Sequence, residues 1–183
     1  MEAVVFAVHD CGYRARCALE LEDSGQPRIQ KIQELIRDCR YGVHDLSRTE
    51  LDPVAGLPRF NMPLELGLFL GMSFAGSTRQ KRKNCLVLDA EPYRYQQFIS
   101  DIAGQDIKAH ENAPERAIKA VRSWLSKQPT SRTGIPGGSR MASRYLEFRG
   151  LLPQLCEEAG LEEDELEFND YITLVVAWLN ANP

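Results

Sequence analysis

The stretch from Phe60 to Thr78, FNMPLELGLFLGMSFAGST, holds a single charged side chain, Glu65. A carboxylate on a helix that is apolar nearly all round must reach a polar cleft, pair with a cation, or stay protonated at a cost of several kcal/mol. Close to a helix N-terminus it is helped to stay ionised, and an ionised, fixed carboxylate is able to act as a nucleophile. The structural alternative is that Glu65 complements the helix dipole in the first turn, or forms a salt bridge with Arg59 or Arg48. Other candidates stand at the ends of short apolar runs: His9-Asp10 after AVVFAV, His44-Asp45 after YGV, and Asp89 at the end of NCLVLD. An Asp in such a place caps the following turn or accepts a ribose hydroxyl. Tyr93 and Tyr95 follow Asp89 closely enough for base stacking, whereas Phe98 and Trp124 read as core. Arg59 and Asn61 precede the Glu65 helix, where they could meet sugar hydroxyls or phosphate beside its free N–H groups.

These residues need a scaffold, and the pattern of the chain supplies one. AVVFAV, residues 3–8, has the β-branched and aromatic character of a central strand buried on both faces. IQKIQELIRDC then places Ile29, Ile32, Leu35, Ile36 and Cys39 at helical spacing, ending near Arg40, and YGVHDLS supplies a short second strand. SRTELDPVAGLPRFN is a loop delivering the chain to a helix that starts near Met62, with Asn61 as N-cap and Pro63 in the first turn. The basic run RQKRK, 79–83, is expected to cap a helix end. NCLVLD is a third strand, EPYRYQQFISDI a helix, QDIKAH a brief fourth strand, and APERAIKAVRSWLSKQ an amphipathic helix opened by Pro114 and Glu115.

Strands alternating with helices predict an α/β fold, a flavodoxin-like doubly wound parallel sheet of four to five strands, which binds ligands outside the carboxyl ends of its strands. The expected layout is an α/β domain over 1–128, a Gly/Pro/Ser-rich linker over 129–140, and a helical C-terminal extension over 141–183. The extension reads as two helices that pack on the domain or on another subunit in a homo-oligomer. The linker lacks the Gly-Lys-Ser/Thr ending of a phosphate-binding loop.

Composition narrows the function classes. The chain has 183 residues and a net charge of −4, with no long basic stripe, so nucleic acid is not an expected partner. Five cysteines without CxxC spacing suggest reduced thiols in the cytoplasm and no zinc site. No uncharged window of membrane length and no signal-peptide pattern is visible, so a soluble protein is expected. The His-Asp doublets invite comparison with HD-type phosphohydrolases. Those doublets lie on helices with further His and Asp ligands, and three histidines do not supply such a set, so no metal is expected.

PLELG, with Glu65-Leu66-Gly67 on a helix that follows a short strand ending in Asp45, resembles the nucleoside 2-deoxyribosyltransferase-like superfamily, whose related Toll/interleukin-1 receptor (TIR) domains carry a glutamate on a similar helix. RFNMPLELGLFLG, CLVLDAEPYRYQQFISDIAGQDI and FNDYITLVVAWL also look like a bacterial group of TIR-like proteins linked to phage defence. The resemblance implies that Glu65 attacks or stabilises an anomeric carbon, with NAD or another nucleotide as substrate and no separate cofactor. It also implies that Asp10, His9, Asp45, Arg59, Asn61, Asp89 and Tyr93 surround the ligand. Two departures are plain: DPVAGLPRFN replaces the Asp-Ser-Gly-Thr style loop of the deoxyribosyltransferases, and the Ser or Cys spacing before the TIR glutamate is absent.

Overall fold

The computed structural model describes residues 1–20, 24–49 and 56–183. Its regular elements, in chain order, are α1 (Glu2–Asp10), α2 (Arg28–Asp38), β1 (Tyr41–Asp45), α3 (Asn61–Ala75), β2 (Asn84–Asp89), β3 (Lys108–Ala109), α4 (Pro114–Leu125), α5 (Gly138–Ala159) and α6 (Phe168–Ala181). The chain divides into two compact units, residues 1–22 together with 114–183, and residues 23–113.

The first unit is helical. Residues 3–8, expected as the central strand of the sheet, lie instead within α1. Ala3, Phe6, Ala7, Asp10 and Cys11 are all buried, and their spacing of three and four is that of one helix face. Phe6 meets Tyr145, Phe148 and Trp178 with ring centroids 5.5, 5.6 and 5.9 Å away, so long-range aromatic packing selects the helix over the strand. At the end of α1 the Asp10 carboxylate lies 3.3 Å from Arg144, and both side chains are buried. The Arg144 guanidinium in turn stacks over Trp178. Gly12, at φ +80°, turns the chain out of α1, and a Cβ there would stand 2.6 Å from Arg132, which donates to the Asp10 carbonyl.

The second unit is mixed α/β. Among the described residues its sheet has three parallel strands in the order β1-β2-β3, fewer than the four to five expected, because AVVFAV is helical, and the QDIKAH strand is only Lys108–Ala109. YGVHD and NCLVLD are strands as expected, with Tyr41 paired to Asn84 and Asp45 to Leu88. α3 covers one face through Leu66, which packs with Leu46, Val87 and Tyr95. Gly42 lets Phe69 approach β1, since a Cβ there would meet the ring at 2.8 Å.

The expectation of a fully buried α3 is corrected. Only Leu66 and Phe69 are buried on it, while Leu64 and Phe74 are 55% and 73% exposed, because so small a sheet offers one narrow face for the helix to cover. Asn61 is the first helical residue rather than the N-cap, and no side chain caps that end. EPYRYQQFISDI is not one helix either: two 3-10 turns, Arg94–Gln97 and Ser100–Ile102, replace it, since Tyr93 at φ 62° and Ile99 at φ −147° interrupt any continuous α-helix. Lys83 of the basic run does cap a helix end, donating to the Ile36 and Cys39 carbonyls at the C-terminus of α2. Part of the expected loop SRTELDPVAGLPRFN, residues 50–55, lies outside the described residues. Among those described, no helix is long and apolar enough to cross a membrane.

Candidate functional site at the carboxyl edge of the sheet

Parallel strands that end together bring the residues at their ends together, and here Asp45 and Asp89 close β1 and β2 while His110 directly follows β3. The Asp45 carboxylate accepts from the Ser47 backbone N–H at 3.0 Å and lies 3.2 Å from His110 Nε2. The Asn112 N–H donates to His110 Nδ1 at 3.1 Å, which assigns the ring's proton to Nε2 and directs it at Asp45. Burial pushes Asp45 up, but the hydrogen bonds from Ser47 and His110 together outweigh it, so this carboxyl sits below its ordinary value. It remains partly exposed and ionised, with acceptor capacity toward a ligand hydroxyl.

Asp89 is fully buried. Its Oδ1 accepts from the Ala90 N–H and from Arg94 Nε at 2.9 Å, and Arg94 Nη2 reaches across to the Leu46 carbonyl at 2.6 Å. Arg94 therefore ties the end of β1 to the end of β2, and Asp89 holds that tie rather than facing solvent. Tyr93, Glu111 and Asn112 are the described non-glycine residues with positive φ, at 62°, 51° and 55°, and all lie in the loops after β2 and β3. Backbone held in that region costs of order 1 kcal/mol or more per residue and gathers at functional edges.

Glu65 is the fifth residue of α3, just past the first turn, and half-buried. It makes no hydrogen bond or ion pair among the described residues, so the alternative of a salt bridge with Arg59 or Arg48 is not seen there. Burial raises its carboxyl above the ordinary value, and the charge of Arg28 pulls it back. Arg59 and Asn61 are exposed at the start of the same helix, and Tyr93 is 72% exposed after β2. The second unit thus carries Glu65, Asp45, Arg59, Asn61, Asp89 and Tyr93.

His9 and Asp10 lie elsewhere, on α1 of the helical unit. His9 Nε2 accepts from the Ala15 N–H, and burial, followed by the charge of Arg14, lowers the pKa of its ring. Asp10 is raised by burial, with Arg144 acting against that rise. Both are engaged in closing the end of α1.

Arg94 and His110 were not singled out by sequence. His110 had a visible signal, since it closes the QDIKAH segment as His44-Asp45 and Asp89 close theirs. Arg94 had none, because a guanidinium reaching back five residues to Asp89 is indistinguishable from a surface helix position until the turn is seen. Among the described residues no three His, Cys, Asp or Glu side chains converge closely enough to hold a metal ion. Comparisons with protein-family models, with curated proteins and with solved structures return no match to this chain.

Proposed function

We propose that residues 23–113 bind a nucleotide at the carboxyl edge of the sheet and cleave its N-glycosidic bond, with Glu65 as the catalytic carboxylate. The observation that carries this reading is the half-buried Glu65 without hydrogen bond or ion pair, on the helix that follows the strand ending in Asp45. Cleavage passes through an oxocarbenium-like transition state, and a fixed carboxylate beneath the anomeric carbon stabilises the positive charge that develops there.

The strand ends also favour one leaving group. Among the described residues, Asp89 is bonded to Arg94 and both ring nitrogens of His110 are engaged, so neither of these two groups is a free general acid. A purine would need protonation to depart, whereas nicotinamide leaves neutral from a pyridinium. The proposed substrate is therefore NAD: the C1′–N bond breaks, its electron pair stays on the nicotinamide nitrogen, and water adds to C1′ with loss of a proton. Asp45 accepts a ribose hydroxyl and Tyr93 offers a stacking face. On this reading the TIR-like resemblance extends to a role in phage defence, and the exposed Leu146 and Leu151 of α5 supply a surface for a homo-oligomer.

The test is nicotinamide release from NAD, followed by chromatography. Glu65→Gln should lower the rate by at least about a hundredfold, the size of a single electrostatic catalytic contact. Turnover that survives Glu65→Gln overturns the assignment. Because the ionised carboxylate is the active form, activity should fall as pH drops through the raised Glu65 value. Arg28→Gln should move that acid limb to higher pH, since it removes the charge that holds the value down. A second reading is a nucleotide sensor without turnover, favoured by the commitment of Asp89 and His110 to internal bonds. A rise in melting temperature with NAD and no nicotinamide release would select it.

A further inference from the structure

At the amino edge of the same sheet, the segments that lead into β1 and β2 border an open cavity of about 180 Å³. It is lined by residues 37–40 and by Arg79, Gln80, Arg82 and Lys83, so four arginines and one lysine face a single acid, Asp38. That is a concentration of positive charge in a chain whose net charge is −4.

The plainest account of cations here is that they complement the C-terminal dipole of α2, but Lys83 already does so through the Ile36 and Cys39 carbonyls. Gln80 Nε2 donates to the Arg37 carbonyl at 3.0 Å, so Lys83 and Gln80 together bind the 79–83 segment to the end of α2 and hold the two arms of the cluster in place. Arg37 is paired with Asp38, and Arg40 rests over the Tyr41 ring. Arg79 and Arg82 are left exposed, with no side-chain hydrogen bond or ion pair among the described residues. Burial lowers the Lys83 pKa; Cys39 and Asp38 act against that fall, while Arg79 adds to it, a repulsion between two cations of the cluster.

We propose that this edge is an anion site for a compact polyanion of the pyrophosphate type, with Arg40, Arg79 and Arg82 as its ligating cations. The cavity is well below the roughly 300–1,000 Å³ of pockets that enclose drug-sized ligands, which matches a small charged group rather than a whole nucleotide. Guanidinium forks suit paired phosphate oxygens, and two linked phosphates engage more than one fork at once. The site is separate from the carboxyl edge, since it stands where the strands begin.

Titration calorimetry with inorganic pyrophosphate and with inorganic phosphate, at about 0.15 M ionic strength, tests the proposal on the full chain. Pyrophosphate should bind saturably, one per chain, and about tenfold or more tighter than phosphate, since each added charge-assisted contact is worth about 1.4 kcal/mol or more. The double variant Arg79→Gln/Arg82→Gln, at exposed positions that bear on no internal bond, should weaken binding at least about tenfold with unchanged circular dichroism. Lys127→Gln/Arg140→Gln, which removes the same charge from the helical unit, should leave it within about twofold. Absence of saturable binding, equal affinity for both anions, or equal losses in the two double variants would each overturn the proposal.

Discussion

Each of the two units buries an Asp against an Arg at the end of a regular element and leaves one oxygen of that Asp without a hydrogen bond, yet among the described residues only the α/β unit also buries a ring with no polar partner at all. In the helical unit Asp10 and Arg144 face each other, Trp178 covers the guanidinium, and Arg132 takes the Asp10 carbonyl. In the α/β unit Asp89 and Arg94 do the same for the strand ends, but among the described residues Glu65 has no hydrogen bond or ion pair and His44 is buried with both ring nitrogens unbonded. A unit that neutralises its buried charge is using it to fix packing. One that leaves polar groups over carries a cost, and that cost is where a ligand or a change in pH can act.

The largest effect that would test this contrast is on the helical pair. Asp10→Ala leaves the Arg144 guanidinium buried without its counter-charge and should destabilise the helical unit by about 3–5 kcal/mol, read from urea unfolding followed by circular dichroism. Asp10→Leu combined with Arg144→Met should restore most of that loss, because an apolar pair of similar size needs no counter-charge. A double variant as unstable as the single one would mean that the pair does more than neutralise itself.

His44 gives the matching experiment in the α/β unit. Burial alone lowers its pKa from 6.5 to about 4, and the ring stands edge-on to Phe69. The folded state then binds fewer protons than the unfolded one between those two values. Stability is fully present above pH 6.5 and is lost as pH falls, by about 1.4 kcal/mol per unit and about 3 kcal/mol in all below pH 4. His44→Leu, close in volume and free of polar atoms, should remove this slope and raise stability at neutral pH by about 1 kcal/mol or more. Unfolding midpoints measured between pH 7 and pH 4 decide the matter, and an unchanged slope in the variant would assign the pH dependence to other groups.

The same contrast explains what could be read in the sequence. β1 and β2 were legible because YGVHD and NCLVLD are short, apolar and bounded by polar residues, and a buried parallel strand needs nothing else. AVVFAV has the same local look, and its helical repeat shows only when it is carried on through Asp10 to Cys11. Reading Asp10 as a stop hides that repeat, and what makes a buried Asp10 tolerable is Arg144, far along the chain. Glu65 stood out as a lone charge, and among the described residues it has no hydrogen bond or ion pair, only the more distant charge of Arg28. The exposure of its helix was not legible, because it depends on the width of the sheet beneath, which is set by strands that did not form. The tie from Arg94 to Asp89 and Leu46 was hidden for a related reason: 3-10 turns stand where the pattern suggested a helix.

The smallest effect is at Tyr93, where the two uses of the α/β unit pull in opposite directions. At φ 62° a tyrosine holds a backbone conformation that costs an L-residue about 1–2 kcal/mol, and with 72% exposure its ring returns little of this through packing. Asn tolerates that region better, so Tyr93→Asn should stabilise the unit by about 0.5 kcal/mol. If the ring stacks on a base, the same substitution should weaken the nucleotide-induced rise in melting temperature, since such stacking is worth about 1–3 kcal/mol. A gain in stability together with a reduced nucleotide response would show strain kept for binding. A gain with an unchanged response would remove Tyr93 from the site and leave its backbone geometry to the turn between Asp89 and Arg94.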